Sequence, residues 1–321
     1  MEILIFGGTR FMGRHLSQVL LAAGYDVTMA NRGTRSPVSG VRHITCDRND
    51  PSALDALIDV PFDHIVDFSA YDSRWVEQAG AAFKNKIKRY IFISSGAVYK
   101  RSEHFPVQEH FPLGAEGAHR EYSEQKIRSE GLLVDFSRNH FFETVSCRLP
   151  YVLGSENYED RESFVLSRLL ADRPIVVPEH GNAMHSFVYA GDVATAIHKL
   201  MIAGAHVDGQ AFNIAYPETT TSMGFILTCA QVCGKTPRLY PLNLEASGLA
   251  SEKFDLKDLL FPFPQINGQL DTTKLAKYVG FTPSYALFDM IKEFYNWWIK
   301  RGGATPREYE RENQALKLLG L

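Results

Sequence analysis

No apolar run in the 321 residues approaches the roughly 20 needed to span a bilayer, which excludes a helical membrane anchor within this sequence. Residue one opens directly into the strand-like run Ile3-Leu4-Ile5-Phe6, leaving no room for a signal peptide, so a cytoplasmic location is expected. Charge of one sign is lacking as well. Thirty-four Lys and Arg stand against 37 Asp and Glu, a formal net charge of −3 with neither a basic arm nor an acidic tail. That balance speaks against nucleic acid and membrane surfaces and for a small-molecule partner. Cysteine is scarce: Cys46, Cys147, Cys229 and Cys233 are scattered, two of them inside apolar runs, and all four read as reduced and structural. Cys229 and Cys233 lie one helical turn apart, but no His or carboxylate cluster accompanies them, and no metal is expected. Internal repeats and low-complexity tracts are missing too.

What is present is an alternation of apolar strands with helical or turn-rich connections. Residues 3–6, 25–30, 41–46, 64–68, 90–94 and 142–147 read as six strands, several apolar enough to be buried on both faces. Such an α/β order predicts a Rossmann-type doubly wound parallel sheet with a smaller, discontinuous C-terminal substrate lobe. The expected division places a dinucleotide-binding domain at 1–153, with 185–216 returning to it, and the substrate lobe at 154–184 and 217–321. Helices are expected at 122–137, 161–170, 192–201 and 287–298, with a short strand at 175–177. Phe294, Trp297 and Trp298 read as packing residues, and Arg307-Glu308 with Glu310-Arg311-Glu312 as a solvated helix face.

Two segments carry chemistry. Gly7-Gly8-Thr9-Arg10-Phe11-Met12-Gly13 follows the first strand and precedes the apolar-periodic Phe11, Leu16, Val19, Leu20: strand, tight glycine turn, helix. Such a turn brings a pyrophosphate onto bare N–H groups at a helix N-terminus. Further along, Tyr122 and Lys126 are four apart on one helix face. An ammonium beside a phenol is expected to lower the tyrosine pKa toward neutrality, as a general acid/base for alcohol–ketone interconversion requires. Ser94 and Ser95 end the fifth strand, where open parallel sheets place their ligands, and a hydroxyl there can reach a substrate oxygen.

Five ordered motifs carry a resemblance: Gly-Gly-x-x-x-x-Gly, Ser94-Ser95-x-x-Val98-Tyr99, Tyr122-x-x-x-Lys126, Arg148-Leu149-Pro150-Tyr151-Val152-Leu153-Gly154, and Phe187-Val188-Tyr189-Ala190-Gly191-Asp192. Together they resemble the extended short-chain dehydrogenase/reductase superfamily, in its NAD(P)-dependent epimerase/dehydratase branch, over almost the whole chain. The resemblance implies Ser95, Tyr122 and Lys126 as the catalytic set, with Tyr122 and Lys126 also touching the cofactor. It implies a cofactor site of Gly7, Thr9, Arg10, Phe11, Met12, Gly13, Asn31, Arg32, Arg35, Asp47, Phe68, Ser69, Ala70, Ser94, Pro150 and Val152. Asp47 matches the adenine-contacting aspartate. A narrower likeness, in Gly154-Ser155-Glu156-Asn157-Tyr158, residues 168–178 and Phe261-Pro262-Phe263-Pro264, is to the subgroup that includes the chloroplast stem-loop binding proteins. The Tyr-x-x-x-Lys pattern, lost in the plastid members, is intact here.

Cofactor choice turns on one phosphate. Where NAD-selective relatives hold an acidic residue for the ribose 2′-OH, this chain has Asn31-Arg32, and Arg10 matches a basic residue of NADP-preferring reductases. The expectation is NADP(H) over NAD(H). Gly96-Ala97 replaces the Asp-Glu pair of sugar-nucleotide 4,6-dehydratases, which disfavours elimination. Two diphosphate-clamping arginines of the UDP-sugar epimerases are replaced by His185 and the Phe-Pro-Phe-Pro turn. The substrate expectation is therefore a carbohydrate-like secondary alcohol or ketone: a sugar, nucleoside or nucleotide sugar. Ser95, Ala97, Tyr151, Asn157, Tyr158, Arg161 and His185 are the candidate substrate contacts. Asp67 stands where many epimerases have histidine and has no assigned role. Homodimerisation is a family habit that the resemblance carries. The rival class is a non-catalytic dinucleotide-sensing or RNA-binding protein on the same fold.

Overall fold

Along the first strand, Ile3 and Ile5 pack into one apolar cluster while Leu4 and Phe6 pack into another. That period of two, with both sets fully buried, makes the run a central strand. In the computed structural model, residues 1–250, 254–303 and 305–321 are described. The first part of the chain forms β1 (Glu2–Phe6), α1 (Met12–Ala22), β2 (Asp26–Asn31), β3 (Arg42–Thr45), β4 (His64–Asp67), α2 (Ser73–Ala82), β5 (Arg89–Ser95), α3 (Arg120–Arg138) and β6 (Glu143–Leu149). The rest adds β7 (Tyr151–Leu153), α4 (Glu162–Leu170), β8 (Pro174–Pro178), β9 (Met184–Tyr189), α5 (Ala190–Ile202), β10 (Gln210–Asn213), β11 (Thr219–Thr221), α6 (Ser222–Cys233), β12 (Arg238–Leu242), α7 (Thr273–Val279), α8 (Leu287–Ile299) and α9 (Glu310–Leu318).

Seven parallel strands make the central sheet in the order β10-β6-β5-β4-β1-β2-β3. The order reverses between β1 and β4, where Phe6 pairs with both Ala30 and Asp67, so the glycine turn and the end of β4 open on one crevice. Helices α1 and α5 cover one face with Leu16, Leu20, Val193, Ile197 and Met201, and α2 and α3 cover the other with Val76, Ala79 and Leu133. This is the doubly wound fold expected.

Beyond β6 the chain builds a three-stranded sheet, β11-β9-β7, and a parallel pair, β12-β8, around Phe164, Phe187, Phe225, Phe261, Phe263 and Phe294. In between, α5 and β10 return to the central sheet. Two details differ from the sequence reading. Leu275 of α7 is fully buried in the central-sheet cluster, with Tyr278, Val279 and Phe281 against it, so the division we propose moves 273–281 to the cofactor half. The face at 307–312 is not simply solvated: Glu312 is buried and paired with the fully buried Arg168 of α4, and Arg311 donates to the Leu249 carbonyl. A helix charge aimed at a buried guanidinium docks α9, which a charge-rich pattern alone does not reveal. Among the described residues no helix is long and apolar enough to cross a membrane.

Candidate functional site

Gly7 and Gly8 have φ of +81° and +80°, conformations that side chains rarely adopt, and a Cβ on Gly13 would stand 2.1 Å from the Gly8 Cα. These glycines let α1 start against the end of β1. Phe11 caps the helix with φ of 44° and no side-chain hydrogen bond. Among the described residues nothing accepts from the N–H groups of Phe11 and Met12. Two free donors and the positive end of an 11-residue helix, reached past Cβ-free backbone, fit a dinucleotide pyrophosphate.

At the neighbouring end of β4, Asp67 now has an account. Fully buried, it accepts from Arg48 Nη1 at 2.6 Å, from the Tyr90 hydroxyl at 2.5 Å and from the Ser69 N–H at 2.9 Å. Burial pushes its carboxyl up, but the Arg48 charge and these bonds hold it below the ordinary carboxylate value. Arg48 also lies over the Phe6 ring and donates to the Trp75 carbonyl. The pair fixes the turn of Phe68, Ser69 and Ala70 that lines the crevice. Arg48 was missed because a lone arginine in a loop carries no motif. Asn31 accepts from the Gly33 N–H, shaping the turn after β2, and the exposed Asp47 accepts from Asn49.

Tyr122 and Lys126 sit in α3 against the end of β5. Lys126 Nζ is buried, donates to the carbonyls of Ile93 (2.8 Å) and Ala70 (3.1 Å), and lies 5.6 Å from the Tyr122 ring centroid. Burial lowers the Lys126 ammonium to about 8. The expected acidification of Tyr122 is not what the structure shows: burial pushes the phenol up to about 12, and a hydrogen bond with Ser95 only partly opposes it. The ammonium directs hydrogen bonds at backbone carbonyls, while Glu159 and Tyr158 disfavour a phenolate. Ser95 Oγ accepts from the Ala97 N–H at 3.2 Å, and Ala97 O accepts from Ser123 at 2.8 Å, which ties the strand end to α3.

Ser94 turns its side chain the other way. Its hydroxyl donates to Glu130 at 2.5 Å, and Glu130 holds Arg148 through two oxygens, at 3.0 and 2.6 Å. Arg148 reaches the Tyr99 hydroxyl, which donates to Asn213. Alternation along β5 thus gives Ser95 to the crevice and commits the Ser94 hydroxyl to a buried network.

Past Pro150 and the buried Val152, the segment 154–162 crosses from the lobe to the glycine turn. Glu156 pairs with Arg14 at 2.8 Å, and the half-exposed Tyr158 stacks on Arg10 at 4.6 Å. Of the candidate substrate contacts, Ser95 and Tyr158 are brought beside Tyr122. The side chains of His185, Asn157 and Arg161 have partners within the protein. His185 is 1% exposed, bonded to Ser222 at 2.9 Å and packed on Tyr151 and Phe263; burial drops its imidazole to about 4, so it is core. Asn157 is buried and donates to Glu162 at 2.7 Å. Arg161 lies over Tyr151 and bonds Glu159 and the Pro262 carbonyl. Side chains of this loop satisfy one another, which residue type alone could not disclose.

Glu162 anchors that segment, accepting from Gly154 N–H and Asn157, and burial raises its carboxyl from 4.5 to about 7. Between these values the folded state binds a proton that the unfolded state has released, so Glu162 makes stability fall as pH rises from about 4.5 to 7. Glu162→Gln should remove that slope. Denaturant midpoints of the two proteins across pH 4.5–7 should diverge in favour of the variant; parallel curves would show that the carboxyl does not titrate there.

A cleft of about 870 Å³ lies between the start of α3 and the lobe, lined by Arg101, Arg120, Glu121, Phe254, Phe263 and Arg311. A second cavity, of about 500 Å³, opens beside Arg10.

This geometry has known counterparts. The chain is 28% identical, over 94% of its length and 80% of the relative's, to the chloroplast stem-loop binding protein of 41 kDa b of Arabidopsis thaliana. A UDP-glucuronic acid 4-epimerase of Bacillus cereus, solved with NAD, superposes with a TM-score of 0.76 at 20% identity, covering 94% of this chain and 99% of that one. An epimerase of Methanothermobacter thermautotrophicus gives 0.79 at 13% identity, over 94% and 93%. At those identities the two structures attest the fold. The sequence model of the NAD dependent epimerase/dehydratase family matches residues 3–215, a stretch that holds the glycine turn, Ser95, Tyr122 and Lys126. With about two-thirds of its length matched and the glycine turn inside the match, the chain belongs to the NAD dependent epimerase/dehydratase family.

Proposed function

We propose that the protein is an NADP(H)-dependent oxidoreductase or epimerase acting on a secondary alcohol, or its ketone, of a sugar, nucleoside or nucleotide sugar. The observation that carries this reading is the convergence of Ser95, Tyr122 and Lys126 on the crevice that the glycine turn opens. Phe11 and Met12 N–H groups hold the pyrophosphate, and the dinucleotide, when bound, supplies the hydride acceptor or donor. Tyr122 moves the proton of the reacting hydroxyl, Ser95 bonds the same oxygen, and Lys126 fixes the position of α3 against Ala70 and Ile93. A phenol near 12 is protonated at neutral pH, the state needed to donate a proton as a ketone is reduced. No carboxylate stands at Gly96 or Ala97, which favours epimerisation or net reduction over elimination.

Arg10 and Arg35 line the cavity beside the glycine turn, and Arg32 does not, so the NADP preference is assigned to the first two. In calorimetry NADPH should bind more tightly than NADH, and Arg10→Ala with Arg35→Ala should cut that ratio at least about tenfold; equal affinities in the unaltered protein would sink the cofactor assignment. Turnover of sugar, nucleoside and nucleotide-sugar panels with NADP catalytic or in excess separates the reactions. A product isomer formed with catalytic NADP indicates epimerisation, and stoichiometric consumption indicates net redox.

The likeness to a stem-loop binding protein favours one other reading, RNA binding without catalysis. Filter binding of structured RNA at two salt concentrations tests it: tight, salt-sensitive binding that survives loss of Tyr122 would put it ahead of the enzyme.

A further inference from the structure

The cavity beside Arg10 is built by both halves of the molecule. Thr9, Arg10, Arg14, Arg35 and Ser36 come from the cofactor half, and Trp297 and Arg301 from α8 and the turn after it. Arg14 is paired with Glu156; among the described residues no carboxylate pairs with Arg10, Arg35 or Arg301. The Trp297 indole N–H is buried without a partner among them, and Arg301 lies 5.1 Å over the same ring. A hydrogen bond from the Arg301 N–H to the Trp298 carbonyl, with Gly302 at φ +75°, sets the turn that carries it. Glu156, Asn157 and Tyr158 also line the cavity, but the Glu156 carboxylate is taken up by Arg14, which leaves three unpaired guanidiniums, two hydroxyls and an indole N–H as donors. Like charges gathered without a counter-ion repel one another unless an anion joins them, and planar guanidiniums suit the oxygens of a phosphate.

We propose that this cavity takes a phosphate monoester, the 2′-phosphate of the dinucleotide, and that Arg301 and Trp297 of the substrate lobe complete the site begun by Arg10 and Arg35. The proposal rests on the NADP reading and extends it: the lobe that holds the substrate also reads which dinucleotide is bound. Arg301 is a specificity residue although it lies some 290 residues from the glycine turn in sequence.

The test is calorimetry on the full-length protein and on Arg301→Ala, Arg301→Lys and Trp297→Phe, titrated with NADPH, NADH, adenosine 2′,5′-bisphosphate, 5′-AMP and inorganic phosphate. Arg301→Ala should weaken NADPH and the bisphosphate about tenfold and leave NADH and 5′-AMP within twofold. Arg301→Lys should keep part of the preference, because a point charge remains, and Trp297→Phe should lose a few-fold on the phosphorylated ligands alone. If the unaltered protein prefers NADPH and Arg301→Ala leaves the ratio unchanged, the lobe's contribution is overturned while the cofactor reading stands. If it shows no preference, both fall. Inorganic phosphate bound as tightly as the bisphosphate would show a free-phosphate site and overturn the assignment to the dinucleotide.

Discussion

Tyr122→Phe is expected to lower turnover about a hundredfold to ten-thousandfold while leaving NADPH affinity within about twofold. The substitution removes one hydroxyl from a ring already packed against Tyr71, with the ring centroids 6.3 Å apart, so the fold has no reason to change. What disappears, on the proposed mechanism, is the group that hands a proton to the reacting oxygen. The phenol near 12 adds a signature: alcohol oxidation, which needs the phenolate, should speed up as pH rises above neutrality, and ketone reduction should not. Steady-state rates in both directions across pH, with calorimetry on the variant, check both parts. Near-unaltered turnover by Tyr122→Phe would overturn the catalytic assignment, and a loss of cofactor affinity equal to the loss of rate would reassign Tyr122 to binding.

The largest stability effect is expected at Glu312. Arg168 is fully buried, bonds Glu312 at 2.5 Å through Nε, and lies 3.5 Å over the Phe164 ring. Glu312→Ala leaves that guanidinium buried and uncompensated, a loss of about 3–5 kcal/mol, whereas removing both charges with apolar residues of similar size costs far less. Denaturant unfolding should show a large drop for Glu312→Ala and recovery of most of it in Arg168→Met with Glu312→Leu. Equal losses in single and double variants would mean that the helix is held by its apolar contacts instead, with Ala315 and Leu316 in the cluster beneath it.

Strand positions and the glycine turn were legible because burial on two faces and tight turns leave a local trace in residue type. That Ser95, Tyr122 and Lys126 come together was legible in the ordered motifs that hold them, one at a strand end and two a turn apart on a helix face. The state of Tyr122 was not, since its pKa depends on Glu159 and Tyr158, residues brought near only by the path of the 154–162 segment. His185 in β9 and Asn157 ahead of α4 carry a related point: a polar residue reads as available until its partner, here Ser222 and Glu162, is known. Arg48 and Glu130 bond partners 19 and 18 residues away, and Arg301 lines one cavity with Arg10, almost 300 residues away; no short window contains both ends of such a pairing.

The return of β10 to the edge of the central sheet bears on how the chain is made. β6 ends at Leu149 and its outer neighbour begins at Gln210, so this apolar strand keeps unpaired N–H and C=O groups until the chain has travelled through α4, β8, β9 and α5. At ribosomal speed that interval is roughly 3–12 seconds, in which the strand is a template for pairing with another copy. Neither half can be completed first and the other added. A chain stopped near residue 200 should aggregate, whereas one carried past Asn213 closes the edge for itself.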